Sequence, residues 1–408
     1  MLQKNTLLFC IFFVVCGFIM LGNLGGWDLY GNDDPRYAQI AREMLETGQY
    51  ILPHLNAEIY PDKPPLFFWF IALASQPFGD VTACAARLPS ALATLGGILL
   101  VYLFARKLYD PLTALLASLI LFTARKSFSV GLSVHFDPLL AFWTTLALLL
   151  FYCGYEKQNG ARKYFLLSYV SIGCALLTKG PAGFAIPLIT IFLFLILKRD
   201  LSKIKKLELG KGLLIILGML ALWLTPACIL GGAEYTQNIL FKQTFGRTVN
   251  SFAHKAPFYY YLLKFPSDFL PWSVFIPAAC IHFWRNRTRN NNILFPAAWF
   301  AATFLVFSLV SGKRSLYLLP LYPAAALIMA KFFGDLLRME AFDIPALQKR
   351  FIAIPSQMLF GGIAVAGVII MLALLDKMSI IQDLAPAKPV LFPVACLAAV
   401  GGLAESFT

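Results

Sequence analysis

Long apolar runs dominate this chain, and short polar segments separate them. The runs are Leu7–Leu21, Leu66–Phe78, Leu88–Phe104, Leu112–Ala124, Pro138–Cys153, Tyr164–Thr178, Pro181–Leu197, Leu213–Leu230, Phe269–Trp284, Ile293–Val310 and Leu316–Ala330, with Phe351–Leu375 and Pro389–Leu403 nearer the C-terminus. A helix that crosses a bilayer needs roughly 20 predominantly apolar residues. Several of these runs are shorter, so their ends are expected to extend into flanking polar residues. The pattern predicts an all-α polytopic membrane protein. Lys4 precedes the first run as it would in a signal peptide, but no small-x-small site precedes Trp27, so the segment is expected to be retained.

The basic residues set the topology. Arg106-Lys107, Lys157 to Lys163, Lys198 to Lys211, Arg285 to Asn290 and Lys331 to Arg350 form five clusters that the positive-inside rule assigns to the cytoplasm. Between successive clusters the chain must cross an even number of times. Lys4 and Arg106 should share the inner side, yet three apolar runs lie between them. The middle one, Leu66–Phe78, is short and aromatic and follows Pro64-Pro65, so it is expected to lie in the membrane interface. Pro35–Glu46 reads as a second surface helix, with Asp33 or Asp34 before it. The first outer loop then runs from about residue 23 to 87, and a second long outer segment from about 231 to 267. Setting aside the interfacial run leaves about twelve spans.

Composition agrees with this scheme. The 408 residues are 59% hydrophobic and 13% charged, about half the charge content of a soluble domain. The net charge of +13 divides into +11 on the inner loops and +2 on the outer ones. Topology therefore accounts for it, and no nucleic-acid partner is expected. The eight cysteines fall mostly within apolar runs and lack metal-ligand spacing, which suits packing and forms no disulfide framework. No dinucleotide fingerprint, phosphate loop, HExxH or GxSxG is present.

Charge is scarce here, so its concentration between Trp27 and Pro65 points to chemistry. Asp33, Asp34 and Arg36 can orient or deprotonate an acceptor, or cap a helix. Lys63, stiffened by two prolines, sits where an ammonium meets a lipid phosphate, or it simply snorkels. Asp137 is a carboxylate at a membrane boundary, functional or the N-cap of a helix starting at Pro138. Lys179 lies in a tight turn where an anionic partner is expected. His254 lies in the second outer segment, and Asp62 and His254 can share a divalent ion, a pairing weakly defined by two ligands distant in sequence.

These motifs in this order resemble the polyprenyl-phosphate-sugar glycosyltransferases of the C-type membrane fold. The broad group is the protein O-mannosyltransferase family, and the lipid A aminoarabinose transferases are the nearer match. The resemblance rests on DDPRYAQIAREML from Asp33, YPDKPPLFFW from Tyr60, ARLPSALATLGG from Ala86, HFDPLLAFW from His135, LLTKGPAGFAIP from Leu176, HKAPFYYY from His254 and SGKRSLYLLPLYP from Ser311. It covers about residues 7–335. It implies catalytic carboxylates at Asp33 and Asp137, a donor-phosphate grip at Lys63 helped by Arg36 and Lys179, and a cavity lined by Asp34, Tyr60, His254 and Tyr317. Asp62 stands where the aminoarabinose transferases typically carry Glu. The chain ends earlier than these enzymes usually do, so their soluble C-terminal domain is expected to be absent.

The expected reaction is inverting transfer of a sugar, 4-amino-4-deoxy-L-arabinose or a hexose, from undecaprenyl or another polyprenyl phosphate. The acceptor would be lipid A or another envelope molecule, on the outer side of a bacterial inner membrane. Two alternatives use the same cavity: protein O-glycosylation, and lipid or small-molecule transport. A transporter should carry its charges near the bilayer midplane on broken helices, whereas here they cluster at one surface.

Overall fold

A computed structural model describes residues 2–157, 159–240, 256–286, 291–338, 350–353 and 355–357. Among these residues the architecture is helical apart from one two-stranded hairpin. Helix α1 (Leu2–Leu21) leads to α2 (Asp33–Thr47), the hairpin (His54–Leu55 with Glu58–Ile59), α3 (Leu66–Ser75) and α4 (Ala83–Leu108). Then come α5 (Pro111–Thr123), α6 (Arg125–Gly131), α7 (Phe136–Glu156), α8 (Ala161–Lys179), α9 (Pro181–Leu197) and α10 (Leu209–Gln237). The order closes with α11 (Tyr260–Asp268), α12 (Ile276–Arg285), α13 (Leu294–Leu309) and α14 (Tyr322–Leu336).

Among the described residues, four helices are long and apolar enough to cross a membrane: Ala83–Leu108, Phe136–Glu156, Leu209–Leu240 and Ser315–Leu336. The bent pair α5 and α6 makes a fifth if it counts as one span. Their exposed surfaces are apolar. On α10, Leu214, Leu222 and Ile229 are 73%, 81% and 76% exposed. A continuous face of this kind suits lipid and would be a liability in water. The protein is a multi-pass membrane protein. Helix α3 adds only a short 3-10 turn and ends by Phe78. At 1.5 Å per residue that is roughly 20 Å, short of the 30 Å hydrocarbon core, in keeping with an interfacial position.

Polar contacts sort by predicted side. Lys107 pairs with Glu156 at 2.9 Å, Arg338 pairs with Asp110, and Asn292 donates to the Leu108 carbonyl at 3.0 Å, all on the predicted inner face. Arg42–Asp80 at 2.8 Å, Arg314–Asp33 and Lys179–Asp137 lie on the predicted outer face. Close in sequence to the inner contacts is an aromatic core in which Phe295 packs against Phe104, Phe151, Tyr152 and Phe194. A second cluster, Tyr37, Phe67, Phe68 and Phe136, joins α2 and α3 to the start of α7.

Several expectations need correction. The Leu112–Ala124 run does not continue straight into one span; it bends by 64° between α5 and α6. At the break, the Arg125 amide donates to the Leu270 carbonyl, and its guanidinium meets Ser267 and Asp268. The Phe269–Trp284 run is not one helix either. Pro266, Pro271 and Pro277 each lack a backbone donor, and the chain passes from α11 through a 3-10 turn into the ten-residue α12. Helix α10 breaks at Gly232, where the backbone leaves helical geometry, and resumes as far as Gln237. The two C-terminal runs lie outside the described residues, apart from the first few positions of Phe351–Leu375.

Candidate functional site

The polar site is assembled from four distant segments: the first turn of α2, the start of α7, the α8–α9 turn and the loop between α13 and α14. Helix α2 begins at Asp33, so both aspartates lie in its first turn, where the helix dipole favours negative charge. Neither is the N-cap. Asn32 holds that position and makes no side-chain cap hydrogen bond. The two carboxylates are therefore free to reach other elements. Asp33 Oδ2 accepts from Arg314 Nη2 at 2.6 Å, and its other oxygen lies 3.7 Å from Arg36 Nη1. Asp34, only 6% exposed, accepts from the backbone amide of Val134 at 3.1 Å and so ties α2 to the approach of α7.

Asp137 is likewise no helix cap. Helix α7 starts at Phe136 with His135 as N-cap, and Asp137 lies buried in the first turn. Its carboxylate pairs with Lys179, the last residue of α8. The anionic partner expected for Lys179 is thus Asp137. The ammonium also sits 4.2 Å from the centroid of the Tyr317 ring, a cation–π contact. Two glycines place this lysine. Gly180 turns the chain at φ +73, and Gly183 packs so tightly that a Cβ would lie 2.3 Å from the Ala175 carbonyl.

Tyr37 and His135 link the two ion pairs. The Tyr37 hydroxyl lies within electrostatic reach of Asp33, Tyr60, Asp137 and Arg314, and burial pushes its pKa up. The His135 imidazole senses Asp137, Asp34, Asp33 and Arg314, with burial pulling its pKa down. Burial alone would raise the Asp33 carboxyl. The Arg314 hydrogen bond and charge, with His135 and Arg36, instead hold it below the usual carboxylate range. Asp34 goes the other way: burial raises its pKa despite the Val134 hydrogen bond. Neighbouring acids pushed apart in this way are a frequent feature of functional sites.

Tyr60 joins through its amide, which donates to Pro53 at 2.8 Å, and through its ring, set edge-on to Phe68. Asp62 and Lys63 follow on the same turn, both half-buried and both engaged in interactions. His254 lies outside the described residues. Among the described residues no group of three or more His, Cys, Asp and Glu side chains forms a metal cage.

Two residues carry more of the site than sequence reasoning gave them. Arg314 belongs to the SGKRSLY motif, where only Tyr317 was singled out; its charge between two apolar runs was the available signal. Arg87, in the ARLPSALATLGG motif, is fully buried. It donates to the carbonyls of Leu24, Trp27 and Asp28 at 2.7, 2.8 and 2.7 Å, and its guanidinium lies 4.6 Å from the Trp27 ring centroid. It fixes how the chain leaves α1 on its way to Asp33. The hairpin is anchored to α2. Its two-residue turn, Asn56-Ala57, has positive φ at both positions, as a primed turn requires. Glu43 of α2 accepts from both turn amides, at 2.7 and 3.1 Å.

Comparison with known proteins places these motifs. The chain is 33% identical over 314 residues to an undecaprenyl phosphate-alpha-4-amino-4-deoxy-L-arabinose arabinosyl transferase from Aeromonas hydrophila, covering 76% of this chain and 57% of that protein. The protein of the same name from Serratia proteamaculans is 29% identical over 349 residues, covering 84% and 62%. The chain therefore spans about three-fifths of the length of these relatives. Among solved structures it is similar to ArnT from Cupriavidus metallidurans bound to undecaprenyl phosphate, with a TM-score of 0.74 at 22% identity over 96% of this chain and 76% of that one. Residues 5–241, which hold the sequence positions from α1 through α10, match the family described as dolichyl-phosphate-mannose-protein mannosyltransferase, and the chain belongs to that family.

Proposed function

We propose that this protein transfers a sugar from a polyprenyl phosphate to an acceptor at the outer face of a bacterial inner membrane, on a scaffold of about twelve spans. The observation that carries this reading is the meeting of Asp33 and Asp137 with Arg36 of the same helix as Asp33 and with two cations from remote segments, Lys179 and Arg314, at one end of the bundle. The aminoarabinose transferases that the chain resembles act, by name, on an undecaprenyl-phosphate sugar.

In the reaction, the bond between the sugar's anomeric carbon and the donor phosphate oxygen breaks, and its electron pair stays on the phosphate. The acceptor oxygen attacks the same carbon from the opposite side, which inverts it. The polyprenyl phosphate departs with one more negative charge than it had in the donor. Lys63 and Arg36 are assigned to that growing charge, with Lys179 in support; a positioned donor of this kind typically contributes about 2.7–4 kcal/mol. Asp33 accepts the proton of a hydroxyl acceptor, and Asp137, clamped by Lys179, holds the site's shape and potential. If the acceptor is a lipid A phosphate it is already anionic, and Asp33 positions it. A divalent ion on Asp62 and His254 would add charge near the donor phosphate; no step above depends on it.

Incubating the purified protein with a radiolabelled polyprenyl-phosphate sugar tests the reading. An enzyme moves label onto an acceptor, whereas a transporter leaves it on the donor. The family's name favours a protein acceptor, and the relatives' sugar favours lipid A. A mass shift in lipid A that depends on the gene would support the second, and label recovered in protein would support the first.

A further inference from the structure

We propose that Arg314 is an exchangeable cation: at rest it neutralises Asp33, and the donor's phosphate, on arrival, takes the guanidinium and leaves Asp33 to meet the acceptor. The inference rests on the donor assignment above and adds an order of events to it.

The two ion pairs of the site differ in access. In the Asp137–Lys179 pair the side chains are 5% and 10% exposed, so a headgroup cannot bond the ammonium without dismantling the α7–α8 contact, and Lys179 supports the phosphate charge only at a distance. In the Asp33–Arg314 pair they are 11% and 34% exposed. The arginine is the reachable partner. Its backbone is held separately from its side chain: the Tyr317 amide and the Tyr261 hydroxyl both donate to the Arg314 carbonyl, at 3.0 and 3.3 Å, while among the described residues the guanidinium bonds Asp33. The guanidinium can therefore swing without moving the loop that also carries Tyr317 to Lys179.

Its chemistry suits the exchange. Guanidinium presents five N–H donors in a planar fork that matches phosphate as well as carboxylate. After it leaves, Arg36 remains 3.7 Å from the Asp33 carboxylate and favours its ionised form. Beyond what Lys63 and Arg36 supply, the Asp33–Arg314 and Asp137–Lys179 pairs, while closed, offer an anion little further attraction. Opening one of them supplies a cation to the phosphate and a free carboxylate to the acceptor in a single move. Donor binding should then precede acceptor binding.

The consequence is a competition with a definite sign. Asp33 and the donor phosphate are rivals for one cation. Removing the charge of Asp33 should therefore strengthen phosphate binding while it abolishes transfer. A carboxylate that merely supported the site would leave binding unchanged or weaker.

The test titrates undecaprenyl phosphate into the purified full chain in nanodiscs, with tryptophan fluorescence as the readout and a thermal melt for each variant. Asp33→Asn is expected to lower Kd about tenfold, and Arg314→Gln to raise it by a similar factor. The double variant should bind like Arg314→Gln alone, because the rivals then share nothing. Wild-type binding and transfer, combined with an Asp33→Asn Kd equal to or above the wild-type value, overturns the exchange and leaves the donor assignment standing. A double variant that binds tighter than Arg314→Gln also overturns it. A wild-type protein that neither binds undecaprenyl phosphate nor transfers sugar overturns both. Should Arg314→Gln fail to fold, the Asp33→Asn titration decides alone.

Discussion

Asp33 and Asp34 are adjacent acids with opposite environments. Asp33 meets Arg314 and Arg36, and its carboxyl is held below the ordinary value; Asp34 is buried, and its carboxyl is raised. The folded state prefers Asp33 ionised. Its stabilising contribution is complete above the unfolded carboxylate value of about 3.9 and is lost as the pH falls through the lower folded value. Thermal stability in detergent should therefore drop below about pH 4, and Asp33→Asn should remove that part of the acid limb. Asp33→Ala should abolish sugar transfer with membrane expression intact; turnover at the wild-type rate would remove Asp33 from the mechanism. Arg87 is a structural counterpart. A buried cation with three backbone acceptors leaves three orphaned carbonyls when truncated. Arg87→Ala should destabilise by about 3 kcal/mol or more, read as a lower melting temperature in detergent.

At the scale of elements, the α8–α9 hairpin is the most sensitive joint. Lys179 ends α8, Gly180 makes the turn, and Gly183 lets α9 pass against the Ala175 backbone. Gly183→Ala puts a methyl into backbone atoms that cannot give way. It should separate the two helices, draw Lys179 from Asp137 and lower transfer at least tenfold, whereas Gly218→Ala, on the open α10 surface, should be tolerated. The loop between α2 and α3 is fastened by indole donors: Trp69 Nε1 donates to the Tyr50 carbonyl at 2.7 Å and Trp223 Nε1 to that of Ile51 at 2.9 Å. With Glu43 on the hairpin turn, these contacts give this irregular loop a set shape, which a site built on a loop requires.

At the scale of the whole molecule, topology makes the strongest prediction. The site assembles only if Asp33, Asp137, Lys179 and Arg314 share one side of the membrane, and the inner ion pairs Lys107–Glu156 and Arg338–Asp110 share the other. In a background with its own cysteines replaced, a membrane-impermeant thiol reagent applied to intact spheroplasts should label Glu58→Cys and leave Lys203→Cys unlabelled until the membrane is opened. Glu58 is an exposed residue of the hairpin and Lys203 a half-buried residue of the 3-10 turn Leu201–Lys206. The reverse pattern would invert the topology and place the site on the cytoplasmic face.

The chain's own order of residues determined much of this. Apolar run length marked the membrane helices, because a bilayer imposes one length on everything that crosses it. The basic clusters gave each loop an expected side, and the parity of crossings before Arg106 set the short Leu66–Phe78 run apart from the expected spans. Local chemistry also drew the eye to Asp33, Asp137 and Lys179. What it left open was how each charge is satisfied. Helix capping and ion pairing look alike in one dimension, and only packing showed that Asn32 and His135 hold the cap positions while the aspartates reach other elements. Only the tertiary structure brought Arg314 to Asp33 across 281 positions, and only it bent α5 into α6 against the end of α11. Partners so distant leave no periodicity to read; their meeting is set by how the helices pack, which is a property of the whole bundle.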